Sequence, residues 1–535
     1  MRIDTRELPW TGPFVRDYCH AFDRVASFFS GSPTDAANWE HAVAARRAQP
    51  PDSAVAELIA RQLADRDAPA AAREAAGKLR DPRTVAVVTG QQAGLFGGPF
   101  FTLLKAVTAV RLARQHAAES DGAVVAIFWI DAEDHDLDEI RHCGFLNRNS
   151  APESVVVDLD APPGTPAAAV RFDGAIADAV DTLRAALPET EFTAEVLEAL
   201  ATAYTPGVRL VEAFARWLDR LLGDQGLIVF DSSDRATKPF VRDLFARELR
   251  APGRTCELAA ATGSELTARG YHAQVSPTPG STALFRMNGA REPIRIDGSG
   301  FLTGSQRLDS AALLAELDDN PASFSPNVLL RPLVQDTLLP TAAVVAGPHE
   351  LAYLGQLRTV YAAFDLPMPL IHTRATATIA DAATTRFLAR YGLELARLQP
   401  QDDAALNALL DAQLPGTVHD ALDAAEHAAA ERLDAIREVV PAVDPTLAGA
   451  VESTRGRIER DLGNLRNKVI QAAKRRDETL RRQFHRARAQ CFPGGDPQER
   501  RVGVIHFVNR YGFRLIDSLM TELSFAPGHH DLLTL

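Results

Sequence analysis

Cysteine is scarce in this chain. Cys19, Cys143, Cys256 and Cys491 are scattered over 535 positions. No CxxC pair occurs, so neither a disulfide framework nor a clustered zinc site is written into the spacing. Reduced thiols in a cytoplasm are the expectation. Long hydrophobic runs are missing too. The longest apolar stretch, Ala123 to Ile130, is less than half of the roughly 20 residues that span a bilayer. The opening residues, MRIDTRELPW, are charged and lack the apolar core of a signal peptide. A soluble, cytoplasmic protein with no membrane partner is expected. Positive charge is in deficit, with 57 Lys and Arg against 70 Asp and Glu and a net charge of −13. That balance argues against a general nucleic-acid binder. The familiar phosphate-binding signatures are also absent: there is no Walker A sequence, no GxGxxG and no KMSKS-like basic loop.

What is present is an ordinary globular composition, 46% hydrophobic and 24% charged. At roughly 100–200 residues per domain the length calls for about three units. Residues 1 to about 80 read as broken helices. Short, continuously apolar runs then recur: Val85 to Thr89, Ala123 to Ile130, Gly226 to Phe230 and Ala342 to Ala346, with a last short run at Pro367 to Ile371. Each reads as a buried strand. The first and fourth are followed by Gly, Pro and an amphipathic helix, the latter from about His349 to Phe364. Strands alternating with helices predict an α/β fold with a doubly wound parallel sheet. The wide sequence gaps predict insertions at about 150–225 and 250–320, the second richer in β structure. From about 376 to 495 the composition shifts to Ala, Leu, Arg, Asp and Glu. Two long antiparallel helices are expected there, broken near Pro441 and Pro445. The second arm is basic from Arg455 to Arg488, Lys474, Arg475 and Arg476 included, and carries an apolar stripe at Ile458, Leu462, Leu465 and Val469. The segment 496–535, with an apolar run at Val502 to Val508, is expected to pack back on a core spanning 1–375.

Ligands of an open parallel sheet bind beyond the carboxyl ends of its strands. Four segments fall there. Gly90-Gln91-Gln92-Ala93-Gly94-Leu95-Phe96-Gly97-Gly98 precedes a helix, so its backbone and the helix end could receive an anion. Asp131-Ala132-Glu133-Asp134-His135-Asp136-Leu137-Asp138-Glu139 packs carboxylates around a histidine, which suits acid–base work or a divalent metal. Ser325 to Asp336 carries Asn327 and, among apolar residues, Arg331, where a carboxylate or phosphate is the natural partner. Gly347-Pro348-His349-Glu350-Leu351-Ala352-Tyr353 forms another strand-to-helix turn.

GQQAGLFGGPFFTLLKAVTAVRLA, FWIDAEDHDLDEI, FSPNVLLRPLVQDTLLPTAAVVAGPHELAYLGQ and the late Gln498-Glu499-Arg500 together resemble the cysteine-adding enzymes of bacillithiol biosynthesis, the BshC cysteine ligase family. The similarity runs in order from about residue 85 to Asn509-Arg510-Tyr511-Gly512. The chain departs from the usual pattern at His349, where a small residue is common, and at His372-Thr373-Arg374. The resemblance implies a Rossmann-like core related to class I nucleotidyl transferases, connecting insertions, and a coiled-coil domain that supports homodimers. It implies a ligase that adds cysteine to the amine of glucosaminyl-malate through an amide bond. ATP is expected from the reaction and the fold class, and a metal requirement is left open. On this reading Asp134 and His135 are catalytic. Gln91, Gln92, Asn327, Arg331, Glu350 and Tyr353 bind substrate, and Gly94, Gly97 and Gly98 bind a nucleotide or other anion. The rival readings are a metal-dependent hydrolase built on residues 133–138 and a non-catalytic coiled-coil protein using the basic arm.

Overall fold

Val85 and Val87 turn to one side of their strand, Ala86 and Val88 to the other, and all four are fully buried. The same alternation divides Ala126, Phe128 and Ile130 from Val125, Ile127 and Trp129. Strands buried on both faces are the mark of a parallel sheet covered by helices. The computed structural model shows that sheet. It describes residues 1–119, 121–476 and 478–535, apart from the side chains of residues 473–476; Lys474, Arg475 and Arg476 of the basic arm therefore lie outside the described side chains. Strands β1 (Val85–Gln92), β2 (Val124–Asp131), β3 (Leu227–Asp231), β4 (Thr341–Ala346) and β5 (Leu370–Thr373) form one parallel sheet. Its order is β5-β4-β1-β2-β3, so the winding reverses between β1 and β4.

The two faces are covered by different parts of the chain. On one lie α1 (Phe100–Ala117), α2 (Leu210–Leu222) and a late helix, Val504–Tyr511. Phe128 packs there against Phe214 of α2, the rings 5.9 Å apart. Its removal to alanine would cost about 3–5 kcal/mol. The other face takes the N-terminal helices Ala54–Asp65 and Ala70–Gly77 together with the second insertion. The insertion between β2 and β3 is a hairpin, His142–Leu146 with Pro152–Val156, followed by helices. That between β3 and β4 begins with helices. It then forms a five-stranded antiparallel sheet from Ser281–Asn288, Ala290–Asp297, Gly300–Thr303, Gln306–Asp309 and Phe324–Pro326. The β-rich segment therefore runs past residue 320. Within the next stretch come α3 (Arg331–Leu338) and α4 (Pro348–Gly355). The single helix expected from His349 to Phe364 is two, with a second piece at Arg358–Ala363. The break falls where Gly355 lies against the rings of Phe14 and Phe29, and where the Gln356 amide turns away to bond the backbone of Val275 and Ala259.

Contacts divide the chain into two units. The first comprises 1–379, 497–533 and 535; the second comprises 380–496 and 534. In the first, Gln498 brackets the backbone of Ile379, accepting its N–H at 2.8 Å and donating to its carbonyl at 2.9 Å. Glu499 accepts a two-pronged bond from Arg374, at 2.6 and 3.1 Å. The late Gln-Glu-Arg sequence thus ties the C-terminal segment down. The apolar run from Val502 becomes the helix Val504–Tyr511. In the second unit α5 (Gly416–Val439) and α6 (Leu447–Arg476) run antiparallel, joined through a short turn at Val440–Ala442 that contains Pro441. The basic arm meets an acidic one: Arg455 pairs with Asp434, Arg466 with Asp423 at 2.5 Å, and Arg437 with Glu452 at 3.2 Å. The expected stripe is only partly covered. Ile458, Leu462 and Val469 are half-buried, Leu465 is exposed, and the buried positions are Val451 and Ile470.

Candidate active site

The ends of β1, β2 and β4 open into a cavity of about 600 Å³ where the strand order reverses. Gln91 and Gln92 enter it from β1, and Asp131, Glu133 and Asp134 from the end of β2 and the residues after it. Asn327 and Arg331 come from the approach to α3, and His349, Glu350 and Tyr353 from α4. Residues far apart in sequence therefore share one wall. Gly90 has to be glycine, because a Cβ there would stand 2.7 Å from the Trp129 carbonyl oxygen of the neighbouring strand.

Beneath the wall lies Lys105, 1% exposed, on α1. No motif in the sequence marks it. Its Nζ donates to the Gly90 carbonyl at 2.7 Å and to Gln91 Oε1 at 2.9 Å, and it is paired with Glu350. Burial pushes its pKa down, and Glu350 opposes that shift. Glu350 also accepts the Gly347 N–H at 2.7 Å, which caps α4. Arg331 donates through Nη2 to the Tyr353 hydroxyl at 3.1 Å and through Nη1 to Gln335 Oε1 at 3.3 Å. Its Nε stands 3.9 Å from Asp131. Desolvation pushes the Tyr353 hydroxyl up to about 12, against the pull of Arg331, so it stays a neutral donor near pH 7.

The acidic run is dispersed by the fold. Glu133 pairs with the buried Lys238 and accepts from Ser325 at 2.9 Å. Asp136 caps the short helix Leu137–Ile140, and Asp138 pairs with Arg141 at 2.9 Å. Among the described residues no group of three His, Cys, Asp or Glu side chains is arranged to hold a metal ion. Asp134 accepts from Gln92 Nε2 at 2.6 Å and from its own neighbours' N–H groups. His135 is not part of the cavity wall; it stands outside, 43% exposed, with Nδ1 3.4 Å from Arg291 Nη1. A guanidinium only donates, so Nδ1 accepts and a neutral ring carries its proton on Nε2. This corrects the expectation of a histidine base over the reacting atoms: its one lone pair is already engaged. Arg291 itself was missed. It comes from the insertion, lies over the Phe285 ring at 4.1 Å, and donates to the Pro326 carbonyl at 2.5 Å. Asn327 is also partly spoken for, its Oδ1 accepting the N–H groups of Leu329 and Leu330.

The glycine loop needs the clearest correction. Gly94, Gly97 and Gly98 are buried and do not line the cavity. Gly97 has φ +93° and packs on Trp217, where a Cβ would approach within 2.8 Å. Its N–H reaches the Tyr204 hydroxyl at 3.2 Å. The Gly98 N–H goes to Leu95, and the Phe100 N–H at the start of α1 goes to the Val502 carbonyl at 2.8 Å. The amides that would have received an anion are used within the protein.

Comparison with known proteins bears on the whole chain. Residues 1–375 match the model described as bacillithiol biosynthesis BshC, N-terminal Rossmann-like domain, and residues 377–535 match its C-terminal coiled-coil domain. The chain belongs to the BshC family. A relative from Salinibacter ruber is 37% identical over 529 residues, covering 96% of this chain and 95% of the relative. Relatives from Chlorobaculum tepidum, 32% identical over 88% of this chain and 86% of the relative, and Geobacillus thermodenitrificans, 33% over 85% of each, are similar along most of their length. All three bear the name "Putative cysteine ligase BshC". The BshC chain described here is thus a ligase-family protein with a Rossmann-like sheet and a coiled-coil domain. No helix among its described residues is long and apolar enough to cross a membrane. His349 and His372 stand in different surroundings. His349 reaches the cavity, where burial and the nearby Arg500 and Arg374 push its pKa down. His372 is buried and pushed down to about 4, so it is neutral, with its Nδ1 donating to the Thr373 carbonyl at 2.7 Å.

Proposed function

We propose that this protein is a cysteine ligase of bacillithiol biosynthesis, joining the carboxyl of cysteine to the amine of glucosaminyl-malate as an amide. The observation that carries the reading is the polar cavity at the reversal of strand order. There Arg331, Gln91, Asp131 and Asp134 converge in a chain whose relatives bear the cysteine-ligase name. Arg331 and Gln91 supply donors for carboxylates. Asp134, held by Gln92, accepts from the attacking amine, which must shed a proton as the bond forms. Arg291 balances charge beside Asp134, at 3.9 Å.

A free carboxylate does not condense with an amine in water, so ATP is the proposed co-substrate and would supply carboxyl activation. The glycine loop does not fit it, because its amides are taken. The groups that fit a polyphosphate are the guanidinium ions of Arg291 and Arg331, both on the cavity wall. The second unit supports a homodimer. Ile436, Val439 and Leu465 stay exposed on α5 and α6, and a second copy would cover them. The proposed location is the cytoplasm, in keeping with four free cysteines.

The test is to incubate the pure protein with cysteine, glucosaminyl-malate and ATP and to analyse the products by mass spectrometry. The reading predicts the amide together with AMP or ADP. A folded protein that yields no amide with any nucleoside triphosphate would refute it.

A further inference from the structure

Gln91 and Gln92 are neighbours on β1 and both line the cavity, yet each amide is fixed by a partner that tolerates only one orientation. Lys105 Nζ is an ammonium group and can only donate, so the atom facing it at 2.9 Å must be the Gln91 carbonyl oxygen. Asp134 is a carboxylate and can only accept, so the atom facing it at 2.6 Å must be the Gln92 amide nitrogen. An amide group is planar, with its oxygen and nitrogen on opposite edges. Among the described residues, Gln91 Nε2 and Gln92 Oε1 have no hydrogen-bond partner.

We propose that Lys105 and Asp134 set Gln91 and Gln92 in opposite polarity, so that the cavity reads one acceptor group and one donor group of its ligand. Gln91 offers an N–H to a carboxylate or phosphate oxygen. Gln92 offers its carbonyl to an amine or hydroxyl. Lys105 is a positioning residue: it lies behind the wall, 1% exposed, and acts through Gln91 and Glu350. Lys105 draws on two separate elements, holding the end of β1 through the Gly90 carbonyl and the start of α4 through Glu350. The polarity is therefore locked at the point where the sheet reverses. The inference rests on the ligase reading for its ligand, glucosaminyl-malate, which carries carboxylates and an amine.

The experiment is titration calorimetry of glucosaminyl-malate with wild-type protein, Gln91→Glu and Lys105→Met, with thermal unfolding of each. Gln91→Glu keeps an oxygen for Lys105 but replaces the N–H donor with a second acceptor. Its affinity should fall about tenfold or more, the scale of one hydrogen bond to a charged group. Its melting temperature should change little, because the contact with Lys105 becomes an ion pair. Lys105→Met frees the Gln91 amide to turn, and adding Gln91→Glu to it should cost less affinity than Gln91→Glu alone costs wild type. Equal affinity of wild type and Gln91→Glu would overturn the inference, as would additive losses in the double variant. If Lys105→Met does not fold, Gln91→Glu alone decides the matter. Failure of wild type to bind glucosaminyl-malate would instead refute the ligase reading.

Discussion

Arg331→Lys keeps the charge and removes the fork. A guanidinium has five N–H groups. In Arg331 one on Nη2 goes to Tyr353 and one on Nη1 goes to Gln335, which leaves three for a ligand. Lysine places all its donors on one atom and cannot hold Tyr353, Gln335 and a carboxylate in one plane. Losing one charge-assisted bond to the ligand costs about 1.5–3 kcal/mol, a rise in KM of about 10–150-fold. The two internal bonds share that cationic donor and are worth roughly 1.5–3 kcal/mol each, but a lysine ammonium can keep one of them, so the fold should survive. The assay varies glucosaminyl-malate at saturating cysteine and ATP and follows melting in parallel. KM should rise much more than kcat falls, with a melting point a few degrees lower. A KM within about twofold of wild type in a folded variant would refute the assignment, since that is below the loss of even one such bond.

Three further outcomes are expected. Asp134→Asn should lower kcat by about 100-fold, the scale of a lost acid–base group, whereas His135→Ala should cost far less because its Nδ1 already serves Arg291; equal losses would contradict that division. Glu499→Gln leaves the buried Arg374 without a counter-charge and should destabilise the first unit by about 3–5 kcal/mol near pH 7. Burial disfavours the charged Glu499, but Arg374 outweighs it and the folded pKa lies below 4.5. The stabilisation is therefore complete above about pH 4.5 and is lost as pH falls through the folded value, so wild type and variant should converge in acid in a melting series. Light scattering should give about twice 57.9 kDa for wild type and a smaller mass for Leu465→Glu; a monomeric wild type would contradict the proposed dimer.

The parallel sheet was legible because its strands are continuous apolar runs, and Ala123 to Ile130 differs from the observed β2 by one residue at each end. The helical arms were legible from composition, and Pro441 marks their turn. The glycine loop was misread because spacing cannot reveal that a carbonyl at Val502 takes the Phe100 N–H. The acidic run looked concentrated only along the chain. Folding pairs Glu133 with Lys238 and Asp138 with Arg141, so that of the carboxylates lining the cavity Asp134 is the one bonded to Gln92. Arg291 carried no signal, since it lies in an insertion hairpin and reaches the site only through tertiary packing. Lys105 could have been noticed as a lone lysine in the apolar helix that follows the first strand, among residues that are otherwise almost all buried.

If the cavity between β1, β2 and β4 holds the reacting groups, glucosaminyl-malate binds there. A crystal structure with glucosaminyl-malate bound would show whether it does. A carboxylate is expected on Arg331 and Gln91 Nε2, with the amine beside Asp134 and the Gln92 carbonyl. Ligand bound elsewhere on the protein, or bound with its amine against Arg331, would contradict it.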